Sequence, residues 1–283
     1  MSLSTGFLVR SAARSNFLTK NTSGTAPGHI QANLIILPSQ YATDFRNLCL
    51  RNPVPCPLLA ESPPGQYDTL ISHQFSSTAL ISHSLDIRTD CPRYMVYTDG
   101  CLTKSHVPDI SAEWSADHVA FLIGCSYSFE TELAAAGLPA RHVTLGRNVA
   151  IYRTTLALCP AGVFTRGTYV VSMRPYKRCE IDRVRQITRR YAATHGEPIA
   201  WGWDALAALG ISDIDAPEWG DAPLTLAGEP LGARRGDDNE MPVFWGCGVT
   251  PQEVVAQAKL RGVAMAHAPG HMLVLDARDQ DLI

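Results

Sequence analysis

The sequence predicts an α/β fold, and two observations carry the prediction. Short apolar runs bounded by Gly, Pro or Ser recur at 32–37 (ANLIIL), 94–97 (YMVY), 119–123 (VAFLI), 169–173 (YVVSM), 243–245 (VFW) and 272–275 (MLVL). Segments of helical character lie between several of them, and strands that alternate with helices specify sheets flanked by helices. At 283 residues, 46% apolar and 18% charged, the chain can bury one large core or two modest ones.

Taken in order, residues 9–20 read as a short amphipathic helix, closed by the turn-rich 21–28 (NTSGTAPG). The strand at 32–37 stops at Pro38 and Ser39, and 41–50 reads as a helix. Prolines keep 52–57 (NPVPCP) irregular, because they fix φ and lack an N–H donor. Residues 61–84 are polar and rich in Ser, Pro and Gly, hence a loop. Asp99-Gly100 after the strand at 94–97 is a hairpin signal. The strand at 119–123 precedes a helix over 129–136, stopped by Gly137 and Pro139. The strand at 169–173 precedes a helical stretch over 177–194 with an arginine-rich, solvated face. A short helix at 201–209, loops over 212–240, a helix at 251–260 and a strand at 272–275 complete the pattern.

Composition excludes several classes of partner. A formal charge of -3 gives no attraction to nucleic acid or an anionic membrane, and no apolar run is long enough to cross a bilayer. Eight cysteines without a C-x-x-C pair read as reduced thiols, which points to the cytoplasm. The first 43 residues hold no Asp or Glu and carry Arg10, Arg14 and Lys20, which keeps a mitochondrial location as the alternative. No metal-ligand spacing, phosphate-binding loop or dinucleotide fingerprint occurs, so no metal and no cofactor are expected. A homo-oligomer is left open.

Two strand ends share one design. In 121–126 (FLIGCS) and 244–253 (FWGCGVTPQE) an apolar strand runs into Gly-Cys-small and then a helix. Thr250 suits an N-cap, Pro251 the first helical position and Glu253 the third, a capping box. The free N–H groups around Gly124-Cys125-Ser126 and Gly246-Cys247-Gly248 would then make two anion-ready corners. The bland alternative is steric glycine and a packed thiol.

Other polar groups offer chemistry. Arg88 and Asp90 fall on one side if 86–90 is extended, and an arginine there could clamp a carboxylate. Arg174, held by Pro175 at a strand end, and Arg147 and Arg153 offer further guanidinium groups for a small acidic substrate. Pro269 and Gly270 forbid a helix that would join His267 and His271 at a metal, so a loop presenting one as an acid–base group fits better.

The segments 25–38 (TAPGHIQANLIILP), 52–59 (NPVPCPLL), 86–90 (DIRTD), 121–130 (FLIGCSYSFE), 146–149 (GRNV), 152–154 (YRT), 171–175 (VSMRP), 242–251 (PVFWGCGVTP) and 267–273 (HAPGHML) follow one another along nearly the whole chain. On these segments together, the chain resembles the D-glutamate cyclase family of hydro-lyases. The resemblance implies a two-domain α/β fold of mixed sheets. We expect one domain from 1–105 with 241–283 and the other from 106–240. It also implies cyclisation of D-glutamate to 5-oxo-D-proline with loss of water. One departure is 199–204 (IAWGWD), where two tryptophans replace a more polar segment.

That reaction implies roles. Backbone donors at Gly124, Ser126, Gly246 and Gly248, with Thr250, would hold developing negative charge; each good donor of this kind contributes roughly 3–4 kcal/mol. Arg88, Arg147, Arg153 or Arg174 would hold a carboxylate. His267, His271, Asp90 or Glu130 would move protons. Cys125 or Cys247 as a nucleophile would instead make a cysteine-dependent amidohydrolase or acyl transferase. A non-catalytic carboxylate-binding module is the third reading.

Overall fold

The computed structural model describes residues 3–75 and 81–282. The chain runs α1 (Gly6–Arg14), β1 (His29–Pro38), α2 (Ala42–Arg51), β2 (Leu58–Glu61), β3 (Ile71–Ser72), β4 (Tyr94–Thr98), β5 (Cys101–Val107) and β6 (His118–Gly124). It continues through α3 (Glu130–Ala135), α4 (Arg141–Thr144), β7 (Ala150–Ala157), β8 (Thr168–Tyr176), α5 (Ile181–Thr188), β9 (Ala200–Trp201), α6 (Ala205–Leu209) and β10 (Met241–Gly246). Helix α7 (Val249–Ala258), β11 (Val263–His267) and β12 (Leu273–Arg278) follow.

These elements make an α/β fold with two sheets. The larger is ordered β3-β2-β6-β1-β11-β4-β5, with β12 also paired to β1; the smaller is β7-β8-β10-β9. The pairings within both, among the described residues, are antiparallel.

Burial explains the apolar runs 34–37 in β1 and 119–123 in β6: both strands are covered on two faces. Leu34, Ile36, Ala120 and Leu122 pack on one side with Leu273 and Leu275 of β12. Ile35, Leu37, Val119, Phe121 and Ile123 pack on the other against Phe45 and Leu48 of α2 and Val254 of α7. The smaller sheet does the same. Val171, Met173 and Phe244 face Leu206 and Leu209 of α6, while Val243 and Trp245 face Phe129, Val184 and Tyr191.

The departures from expectation are local. The first helix is Gly6–Arg14 rather than 9–20, because Thr5 caps it through the Leu8 N–H. Strands β2, β7 and β11 were not anticipated. In β7 the more buried and more exposed positions alternate from Ala150 to Thr155, the mark of a half-buried strand, although the residue types do not. The expected loop at 61–84 contains β3, and its residues 76–80 lie outside the described residues. Strand β8 does not end at Arg174 but carries it inside, through Tyr176. His267 stands at the end of β11 rather than in a loop. The Asp99-Gly100 hairpin forms between β4 and β5 as read from the sequence.

Candidate functional site

The ends of β6 and β10 bring two cysteines from different sheets to one place. After Gly124, Cys125 is extended and Ser126–Phe129 forms a 3-10 turn leading into α3. After Gly246 and Cys247, α7 starts at Val249 with Gly248 as its N-cap. The expected capping box does not form. Thr250 lies inside the helix, where its hydroxyl accepts from Val170 N–H at 2.9 Å and donates to Val170 O at 3.2 Å, pinning α7 to β8. Glu253 instead meets Arg153 at 2.6 Å.

Close approach, more than turn geometry, explains the glycines. A Cβ on Gly248 would stand 2.0 Å from Asn33 Nδ2, and one on Gly124 would stand 2.0 Å from Ala193 O. Asn33 Nδ2 donates to Gly124 O at 3.0 Å, so one buried amide spans both corners.

Both cysteines line an open cavity of about 450 Å³, together with Ser126, His267 and His271. Asn33, Gln252, Trp219 and Lys20 also belong to its wall. No Asp or Glu belongs to that lining, among the described residues. Burial pushes the Cys125 thiol up to about 12, against the Tyr127 N–H, which favours the thiolate. Burial pushes Cys247 up to about 11, against the Val249 N–H and the charge of Arg174. Both are therefore thiols at neutral pH.

His267 is a buried neutral imidazole, lowered to about 4 by burial, with the Ala268 carbonyl opposing. Its Nδ1 lies 2.8 Å from Ala268 O, and its Nε2 lies 2.7 Å from Gln252 Nε2 and 3.2 Å from Asn33 Oδ1. Since Nδ1–H donates to the carbonyl, Nε2 presents its lone pair to the Gln252 amide. Burial also lowers His271, whose Nδ1 meets Pro269 O at 2.8 Å. A histidine absent from the sequence reading, His195, is lowered to about 4 by burial; its Nε2 lies 2.7 Å from Gly124 O and its Nδ1 2.8 Å from Val54 O, and the neutral ring donates its single N–H to one of them.

The arginines and acids expected at the substrate are engaged elsewhere. Arg174 is fully buried and does not line the cavity. Its Nε donates to Glu130 at 2.8 Å, Nη1 to Ser172 Oγ at 3.0 Å and Nη2 to Ser126 Oγ at 3.0 Å, so it supports the Cys125 corner from behind. Burial pushes Glu130 up, but Arg174 and His142 outweigh it and hold the carboxylate below its usual range. Residues 86–90 turn back on themselves instead of extending. Arg88 pairs with Asp86 and covers the Tyr67 ring, while buried Asp90 pairs with Arg14 and Arg10 of α1. Arg147 donates to Ala222 O at 3.1 Å, and Arg153 covers Trp219. Neither lines the cavity. Among the described residues no group of three His, Cys, Asp or Glu is arranged to hold a metal ion, and no helix is long and apolar enough to cross a membrane.

The family profile for D-glutamate cyclase matches residues 119–276, which include both cysteine corners and His267. The chain belongs to the D-glutamate cyclase family. Relatives extend the match beyond that segment. A Schizosaccharomyces pombe protein, provisionally named a hydro-lyase, is 44% identical over 268 residues, 95% of this chain and 83% of the relative. A Bordetella pertussis protein of the same provisional name is 47% identical over 271 residues, 96% of this chain and 89% of its own. One from Azorhizobium caulinodans is 47% identical over 282 residues, 100% of this chain and 94% of its own. Membership places the chain with the hydro-lyases.

Within this family frame, sequence reasoning missed Asn33, Gln252, Trp219 and His195. Asn33 did carry a signal: a polar amide inside the apolar β1 must find partners, since a buried unsatisfied amide costs about 1–3 kcal/mol. The two tryptophans of the departing segment leave the cavity untouched. Trp201 is exposed beneath Arg185, and Trp203 packs on the smaller sheet.

Proposed function

We propose that the chain is a cofactor-free hydro-lyase for a small acidic substrate, converting D-glutamate to 5-oxo-D-proline and water. The observation that supports this reading best is the cavity wall: a lysine, two histidines and two thiols, with no carboxylate among its described residues. Such a wall suits a dianion, which a carboxylate-lined wall would repel.

The cyclisation needs a neutral amine, a polarised γ-carboxyl and a place for the oxyanion. The N–H of Ser126, beyond Cys125, has no acceptor among the described residues, and this donor supports the oxyanion role. His267 Nε2 or His271 receives the amine proton. Lys20 and His271 at the rim hold the α-carboxylate. Attack is intramolecular, so the site has mainly to hold one bent conformer. Incubation with D- and L-amino diacids and hydroxy acids, followed by mass detection of the loss of one water, tests the reading. D-glutamate is expected to react, and no water loss from any acid overturns it.

A cysteine-dependent amidohydrolase is the competing reading, favoured by the two thiols in the cavity. It needs a base on the nucleophile, and no histidine hydrogen-bonds either sulfur among the described residues. Substrate protection against iodoacetamide, with an acyl adduct on one cysteine, would support that reading over ours.

A further inference from the structure

We propose that Cys125 and Cys247 act together as a two-thiol acid–base pair at the Cα of a bound amino or cyclic amino acid, giving the site an epimerising activity beside water loss. The inference rests on the proposed reading that the cavity holds a small acid.

The two sulfurs are matched. Each follows the last glycine of a buried strand, each is 8% exposed, and each faces the N–H two residues on, at Tyr127 and Val249. They are also neighbours. Asn33 bonds Gly124 and fills the space beside Gly248, so a single amide separates the two corners. Cys125 reaches the cavity from the larger sheet and Cys247 from the smaller, which puts the thiols on walls of separate origin.

Inversion at carbon needs groups on opposite faces of it, and each thiol is assigned one face. One group must take the proton from one face while another delivers a proton to the opposite face, and a single side chain cannot stand on both. Two groups of one chemical type serve either antipode by exchanging roles. The reactive form is the small fraction in which one of the two thiols has released its proton to solvent. That thiolate takes the Cα proton: the C–H bond breaks, its electron pair moves into the adjacent carboxyl, and S–H forms. The thiol of the other gives its proton to the opposite face: S–H breaks and C–H forms. One thiolate and one thiol enter, one thiol and one thiolate leave, and no oxidant is needed. Solvent exchange returns the pair to its starting form. The buried guanidinium of Arg174, behind Ser126, favours the singly ionised pair against burial. The singly ionised fraction, and the exchange rate with it, grows as pH rises above neutrality.

The test uses the full chain in D2O with four probes: D-glutamate, L-glutamate, D-5-oxoproline and L-5-oxoproline. Loss of the Cα proton is followed by NMR and inversion by chiral chromatography. The native protein is expected to exchange the Cα proton of at least one antipodal pair and to produce each antipode from the other. Cys125→Ser and Cys247→Ser should each lose inversion by at least 100-fold. Each should retain exchange on one antipode only, and the two variants on opposite antipodes. A merely structural role would depress both antipodes alike in each variant, and that outcome overturns the pair. So does inversion surviving in either variant whose circular dichroism is native. Native protein that releases water from a probe without exchanging its Cα proton also overturns the pair, and leaves the hydro-lyase reading standing. Native protein that neither binds a probe by calorimetry nor acts on one overturns both.

Discussion

The side-chain amide of Asn33 occupies the space beside Gly248, 2.0 Å from where a Cβ would stand, and donates to Gly124 O on the other corner at 3.0 Å. This relationship couples β1, in the middle of the larger sheet, to the start of α7. It makes the spacing of the two cysteine corners depend on one buried amide.

Gly248→Ala should therefore harm the fold and the site together. The new methyl displaces Asn33, and overpacking of this kind typically costs about 1–3 kcal/mol. The urea midpoint is expected to fall accordingly, and water release should fall by more than stability alone explains. An unchanged midpoint with full activity would refute the packing assignment.

Asn33→Asp should recharge the cavity. A carboxylate near His267 Nε2 favours the imidazolium, so His267 is expected to titrate well above its present value of about 4. Histidine NMR titration reads this directly, and no upward movement contradicts the geometry.

Arg174→Met should destabilise strongly. It leaves the largely enclosed Glu130 with His142 as its remaining side-chain partner, and breaking a buried pair from one side costs about 3–5 kcal/mol. Adding Glu130→Gln should recover part of the loss. Denaturant unfolding of both singles and the double gives the coupling, and strict additivity would sink the pairing.

Acid should weaken the protein through its buried imidazoles. His195 and His267 have folded pKa values lowered to about 4, against 6.5 in the unfolded chain. A depressed imidazole contributes stability that is present above pH 6.5 and is lost as pH falls through 4, because the unfolded chain binds the proton first. Each should contribute a slope of up to about 1.4 kcal/mol per pH unit in that window. Unfolding free energies at pH 7, 6 and 5 should flatten in His195→Gln, and an identical slope in that variant contradicts the assignment.

Much of the fold could be read from residue patterns. The runs at 32–37 and 119–123 announced the two buried central strands, because an element covered on both faces has no polar side to show. Strand β7 escaped because a half-buried segment mixes polar and apolar residues and gains definition only from neighbours, and β11 because the short apolar run 263–266 does not distinguish strand from helix. Of the candidate site, the Gly-Cys corners were legible, since glycine beside a strand end marks a close approach whichever atom approaches. The approaching atoms, Asn33 and Ala193, were not.

By itself the sequence determined the α/β class, the family and the two thiol-bearing corners, all of which rest on local pattern. Only the tertiary structure decided which polar groups reach the cavity. Arg174 meets Glu130 44 residues away, and Arg10 meets Asp276 266 residues away. An ion pair forms wherever folding brings opposite charges together, at sequence separations that no motif records. Several of the expected arginines were in this way claimed by carboxylates of the scaffold, and the cavity was left to thiols, imidazoles, amides and Lys20.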